Sequence, residues 1–230
     1  MASFTDIFHK FPRTPHFFTL PGTSVRGDRL LEPTEAARLM RLPAAVEEKV
    51  DGANLGLSVG PDGRVRAQSR GHYLKPGTPG QWRPLWRWIA RREEPLREAL
   101  GAELLLFGEW CYARHTVAYD ALPDWFIAFD VYDRRARQFF SRGQRDALLE
   151  SFGLATVPLL AEGVFDRKAL VKLLGRSRLS SSPAEGLYLR WDEGDRLVAR
   201  AKVVRPGWVP AGDEHWSKHP LETNRLAGGR

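Results

Sequence analysis

Residues 45–59 read Ala45-Val46-Glu47-Glu48-Lys49-Val50-Asp51-Gly52-Ala53-Asn54-Leu55-Gly56-Leu57-Ser58-Val59. AVEEKV and ANLGLSV predict two strands, and VRAQSR predicts a third, joined to the second by a Pro61-Asp62-Gly63 turn. A lysine leaves the first strand into a glycine turn, with a carboxylate two residues on. A lysine nucleophile must shed its proton, which its ordinary pKa of about 10.4 forbids at neutral pH. Burial, neighbouring cations or a metal ion must lower it. Alone, Lys-x-Asp-Gly marks only a surface lysine beside a turn.

The surrounding pattern is mixed. Pro33 to Met40 predicts a short helix after an irregular Pro-, Phe- and Gly-rich lead-in. Trp82, Leu85, Trp86 and Ile89 fall at helical spacing within 81–100, with Arg87, Arg91 and Arg92 between them; this predicts a core-facing stripe and a solvated Arg face. Pro95 breaks or restarts that element. ELLLFGEWCY (103–112) and DWFIAFDVYD (124–133) predict strands. Ser141 with Gln144 opens a helix that runs to Gly153, and another helix spans about 166–174. GLYLRW and RLVARAKVV predict a hairpin around Asp192-Glu193-Gly194-Asp195. Strands with inserted helices and no βαβ alternation predict an α+β domain with antiparallel sheets flanked by helices, one domain over 1–230.

Composition narrows the class. The chain has 230 residues, 43% hydrophobic and 27% charged, which excludes disordered, collagen-like and coiled-coil proteins. No apolar run approaches the roughly 18 residues of a membrane span, and the N-terminus does not read as a signal peptide. The single cysteine, Cys111, forms no internal disulfide, and a cytoplasmic location is expected. The net charge of +7 and pI near 9.8 favour polyanionic partners, nucleic acid first. A compositional origin competes, because 28 of the 35 basic residues are Arg.

Further chemistry-bearing residues follow Lys49 in order. Ser69-Arg70 ends the third strand, and Phe107-Gly108-Glu109 puts a carboxylate near the end of a strand. Phe129-Asp130-Val131-Tyr132 supplies an aromatic, Glu185-Gly186-Leu187-Tyr188-Leu189-Arg190 a second carboxylate, and Arg200-Ala201-Lys202 two cations on one face. At these residues the sequence resembles the covalent nucleotidyltransferase superfamily: ATP-dependent DNA and RNA ligases and mRNA capping enzymes. The six elements span residues 47–205 in the family's order. Asn54, where DNA ligases and capping enzymes usually carry Arg, points to the RNA-ligase branch. So do Arg13-Thr14-Pro15-His16, Tyr112-Ala113-Arg114-His115-Thr116 and Glu214-His215-Trp216. One departure is Val204, where the family usually has a second lysine; Arg200 and Lys202 are taken as the pair instead. Only 28 residues follow Lys202, too few for a C-terminal OB domain, so a bare adenylation domain of ATP-grasp-like ligase type is expected.

The resemblance implies an RNA ligase that seals 5′-phosphate and 3′-hydroxyl ends with ATP and Mg²⁺ or Mn²⁺ through a lysyl-AMP. It implies Lys49 as nucleophile and Lys202, Glu185 and Glu109 as further catalytic groups. Asp51, Glu109 and Glu185 are the expected metal ligands. Glu48, Asn54, Arg70, Phe129, Arg200 and Lys202 are expected on the nucleotide or the incoming end, with Phe129 stacked on adenine. RNA is expected over DNA, with no membrane and with room for a partner protein to supply substrate grip. A DNA-nick or mixed polynucleotide ligase is the nearest alternative, and a non-catalytic nucleic-acid binder that kept the fold is the alternative of another class. His16 and His115 are expected in hydrogen-bonded structural roles, and Arg134-Arg135-Arg137 in a solvated turn.

Overall fold

The computed structural model describes residues 8–23, 25, 27–207 and 220–228. Glu214-His215-Trp216 lies outside them. The quoted stretch folds as β1 (Ala44–Lys49) and β2 (Ala53–Val59), and β3 (Val65–Gln68) follows. β1 and β2 belong to different sheets, so Val50-Asp51-Gly52 carries the chain across the gap between them. Gly52 is required there, because a Cβ would lie 2.9 Å from the Trp110 carbonyl oxygen.

The remaining strands are β4 (Leu104–Trp110), β5 (Phe126–Asp133), β6 (Gln138–Phe139), β7 (Leu159–Gly163), β8 (Gly186–Glu193) and β9 (Arg196–Val204). One sheet runs β7-β1-β8-β9 and the other β3-β2-β4-β5-β6, and every strand pairing is antiparallel. The helices are α1 (Pro33–Leu39), α2 (Leu85–Ala90), α3 (Glu93–Leu100), α4 (Arg142–Ser151) and α5 (Arg167–Leu173). The architecture is the α+β arrangement expected of the sequence. The helical 81–100 region divides at Arg91-Arg92, and Pro95 sits in the first turn of α3, where a missing N–H costs no helical bond. β6 and β7 are additions that the sequence pattern does not announce.

Period-two alternation sorts the strands. Along β4, Leu106 and Trp110 join the core beneath α2, α3 and α4, while Leu105 and Phe107 face the other way. Along β8 and β9, Leu187, Leu189, Trp191, Ala201 and Val203 pack with Leu39 of α1 and Leu170 of α5. The opposite faces, carrying Tyr188, Arg190, Arg200 and Lys202, turn towards the second sheet. Of the expected stripe, Leu85 and Ile89 are buried while Trp82 and Trp86 are half-buried against the same core; Trp88, outside the stripe, is buried, and Arg87 and Arg91 are exposed. Arg92 is held by Asp124 (Nη2–Oδ2 2.7 Å). No helix among the described residues is long and apolar enough to cross a membrane.

A layer of charge lies between the sheets. Asp130 meets Arg190, Arg200 (3.0 Å) and the Tyr188 hydroxyl (3.0 Å). Arg145 of α4 reaches Glu47 (Nη2–Oε1 2.5 Å) and the Phe129 carbonyl (2.6 Å). Glu47, Asp130, Arg145 and Arg190 are almost wholly buried. Burial works against the Asp130 carboxylate, but Arg190, Arg200 and Arg145 hold its pKa below the ordinary value. Arg134, expected in solvent, is also buried, whereas Arg135 and Arg137 are exposed.

Candidate active site

The gap between the sheets opens at one end into a cavity of about 220 Å³. Lys49, Glu185 and Lys202 reach it from the first sheet, and Asn54, Glu109 and Phe129 from the second. β1 ends at Lys49, whose Cα partner on β8 is Gly186, so Glu185 arrives beside the lysine. Gly186 itself must lack a side chain, because a Cβ would collide with the Val203 carbonyl oxygen. Asn54 and Glu109 are partners in the β2–β4 register.

Lys49 Nζ donates to Glu185 Oε2 at 2.5 Å. Burial disfavours the ammonium, but Glu185, Glu109 and Asp51 outweigh it and hold the Lys49 pKa above its ordinary value. The carboxylates pay in the opposite sense. Burial pushes Glu109 up to about 8 and Glu185 up to about 7, against the pull of Lys49 on each. Glu109 Oε2 and Asn54 Oδ1 are buried without a hydrogen-bond partner. Unpaired buried acceptors are costly, so these two suit a cation, hydroxyl or N–H arriving with a ligand.

The expected site residues are not all brought together. Lys49, Lys202, Glu109, Glu185, Asn54, Arg70 and Phe129 line the cavity, Arg70 as an exposed residue. Glu48 also borders it, but its carboxylate accepts from the Ser177 hydroxyl and from the Arg178 N–H (2.7 Å). Asp51, expected on a metal, points elsewhere: its Oδ2 accepts the N–H groups of Thr116 (2.7 Å) and Val117 (2.8 Å). No group of three His, Cys, Asp or Glu side chains among the described residues is placed to hold a metal ion; of the expected Asp51-Glu109-Glu185 trio, Glu109 and Glu185 line the cavity and Asp51 does not. Arg200 shares its face with Lys202 but lies deeper. It pairs with Asp130 and stacks over Phe11 and Phe139 (4.6 and 4.2 Å to the ring centroids), so its expected phosphate contact is replaced by a structural one.

Sequence reasoning missed what the lead-in contributes. Pro15 and Phe17 hydrogen-bond the Lys202 backbone (2.9 and 2.8 Å), which lays residues 15–17 along the free edge of β9. Arg13, His16 and Asp28 thereby line the cavity. Lys202 Nζ meets Asp28 Oδ2 at 2.5 Å, and burial leads in lowering the Lys202 pKa. His16, expected to be hydrogen-bonded, has a buried and unpartnered Nδ1. The signal was in the Arg13-Thr14-Pro15-His16 motif, whose partners lie far along the chain. His115 bonds Gln81 (3.0 Å) outside the cavity lining, consistent with a structural role.

A half-buried lysine at the mouth between two antiparallel sheets, flanked by carboxylates and faced by a second lysine, defines a nucleotidyltransferase-type domain. The chain belongs to the RNA ligase family, whose model matches residues 42–204. No curated protein matches it. Among solved structures, a Naegleria gruberi RNA ligase with pyrophosphate is 19% identical, with a TM-score of 0.54 over 71% of this chain and 50% of that one. A glutamate-to-alanine variant of the Naegleria gruberi ligase with ATP and manganese is 18% identical, with a TM-score of 0.57 over 84% and 58%. Another such variant, with AMP and manganese, is 18% identical, with a TM-score of 0.60 over 89% and 57%. The likeness extends to the fold, and the chain spans about half the length of these ligases.

Proposed function

We propose that this chain is an ATP-dependent RNA ligase that seals 5′-phosphate to 3′-hydroxyl ends, working as one adenylation domain. The observation that carries the reading is Lys49 in the cavity, bonded to Glu185 and faced by the unpartnered Glu109 Oε2 and Asn54 Oδ1. The ligases it resembles in fold were solved with ATP, AMP, pyrophosphate and manganese, ligands that match a site of this composition.

Lys49 Nζ attacks the α-phosphorus of ATP; the N–P bond forms as the bond to pyrophosphate breaks. The Lys49 ammonium must first lose a proton, and Glu185 Oε2, 2.5 Å away, takes it. A carboxylate whose pKa has been raised to about 7 accepts a proton far more readily at neutral pH than an ordinary one. Lys202 holds the α-phosphate, and Phe129 offers a ring for the adenine. The 5′-phosphate of the nucleic acid then takes the AMP from Lys49, and the 3′-hydroxyl displaces AMP to form the phosphodiester bond. Positioning and charge neutralisation supply most of the catalysis in such transfers.

A divalent cation is compatible with Glu109 and Glu185, hard oxygen donors of which one oxygen is unpartnered. Bound there, it would balance phosphate charge and help to depress the Lys49 pKa.

The test is sealing of a 5′-phosphorylated RNA in ATP and Mg²⁺, scored by resistance of the label to phosphatase, beside DNA of the same sequence. Sealing of RNA is expected. Sealing of DNA alone would overturn the RNA assignment, and sealing of neither would overturn the ligase reading.

A further inference from the structure

The cavity contains two lysines, and each is held by a carboxylate. Glu185 on Lys49 belongs to the site just described, but Asp28 on Lys202 belongs to none of the elements that define the family resemblance. Asp28 Oδ1 also lies 3.9 Å from Arg13 Nη1, and that guanidinium is anchored on the Gly27 carbonyl. His16 is 2% exposed and lines the same side of the cavity, with Nδ1 unpartnered. The backbone fixes the group: His16 N–H donates to the Arg29 carbonyl (2.9 Å) and the Leu31 N–H donates to the His16 carbonyl (2.8 Å). The hydrogen bonds of Pro15 and Phe17 to Lys202 complete the frame.

We propose that Arg13, His16 and Lys202 form a phosphate subsite on the lead-in side of the cavity, occupied in the free protein by the Asp28 carboxylate. The inference deepens the ligase reading and rests on it for the identity of the ligand. A carboxylate bridging a lysine and approached by an arginine has the charge and acceptor character of a phosphate oxyanion. A phosphate brings more charge and more acceptors than Asp28, so it displaces the carboxylate from Lys202. Arg13 is three-fifths exposed, so its guanidinium can reach the incoming group by giving up its bond to the Gly27 carbonyl. Burial and the nearby Lys202 lower the His16 pKa, so its ring binds as a neutral partner and adds no third charge. Lys202 borders the α-phosphate in the adenylylation step, so the phosphate beside it has two sources, the pyrophosphate leaving that phosphorus or the 5′-phosphate of the nucleic acid.

Titration calorimetry with inorganic pyrophosphate tests the subsite without any covalent step. Asp28→Asn removes the competing charge and should bind pyrophosphate about fivefold more tightly, whereas Arg13→Ala should bind it about fivefold more weakly. Arg13 is exposed, so its variant keeps the fold if Asp28→Asn does not. No tightening in D28N and no weakening in R13A, in variants that melt with the parent, would overturn the subsite. A matched pair of short RNAs, 5′-phosphorylated and 5′-hydroxyl, separates the sources. A sharper preference for the phosphorylated RNA in D28N assigns the subsite to the nucleic-acid end, and a change with pyrophosphate alone assigns it to the leaving group. Adduct formation with ATP reads the ligase assignment separately. An adduct with unchanged pyrophosphate affinities removes the subsite and leaves the assignment, and tightened D28N without an adduct does the reverse.

Discussion

Glu109 shows how the site's function opposes the stability of the fold. Both Glu109 and Glu185 bind protons more tightly folded than unfolded, with pKa values of about 8 and 7. Their contribution to stability is therefore full below the ordinary carboxylate pKa and is lost as pH rises through about 7 and 8. Glu109→Gln removes the titration at one of them. The variant should match the parent at pH 5 and exceed it by about 2 kcal/mol at pH 9, after allowance for the attraction of Lys49. Denaturant melts at the two pH values check this, and equal stability at pH 9 would contradict the raised pKa. At this scale the sequence was only half informative. Lys49, Glu109 and Glu185 could be read from their motifs because each sits at a strand end. Asp28 could not, since it meets Lys202 across 174 residues through a lead-in with no periodicity. Arg200 was misplaced because alternation reveals which face a side chain takes and not how deep it lies.

The turn after β1 carries more than the nucleophile. Asp51 collects two N–H groups from the Thr116-Val117 turn, and its own N–H donates to the Tyr119 hydroxyl (2.8 Å). Asp51→Ala should lose about 2 kcal/mol in urea denaturation by leaving two amides unpaired. Equal stability would mean that the turn is held by other contacts. Helix α4 is similarly specific: Ser141 caps it by accepting the Gln144 N–H (3.3 Å), and the helix delivers Arg145 to Glu47 and Phe129. Ser141→Ala should cost about 1 kcal/mol by the same measurement. Both helix cap and strand alternation could be read directly in the sequence. β7 could not, because its burial does not alternate and it is recruited by pairing with β1.

At the scale of the molecule, the two sheets are joined by the buried charge layer behind the cavity. Arg190 binds Asp130 and the carbonyls of Phe129 (3.1 Å) and Phe140 (2.8 Å). Arg190→Met leaves Asp130 short of a partner and should cost about 3–5 kcal/mol, read as a large fall in the denaturation midpoint. A loss below 1 kcal/mol would show that the layer is not what fixes the sheets. This layer was invisible in sequence, where Arg190 and Asp130 stood in two separate elements with no sign that they meet. The net charge of +7, in contrast, followed from composition alone, and on the proposed reading the affinity for RNA should fall steeply as salt rises.

On the proposed reading, Lys49 takes up AMP. Intact mass after incubation with ATP and Mg²⁺, with and without prior stripping by pyrophosphate, tests it most directly against Lys49→Ala. A gain of one AMP in the parent and none in the variant is the expected result. An adduct that persists in Lys49→Ala, or no adduct in the stripped parent, would contradict it.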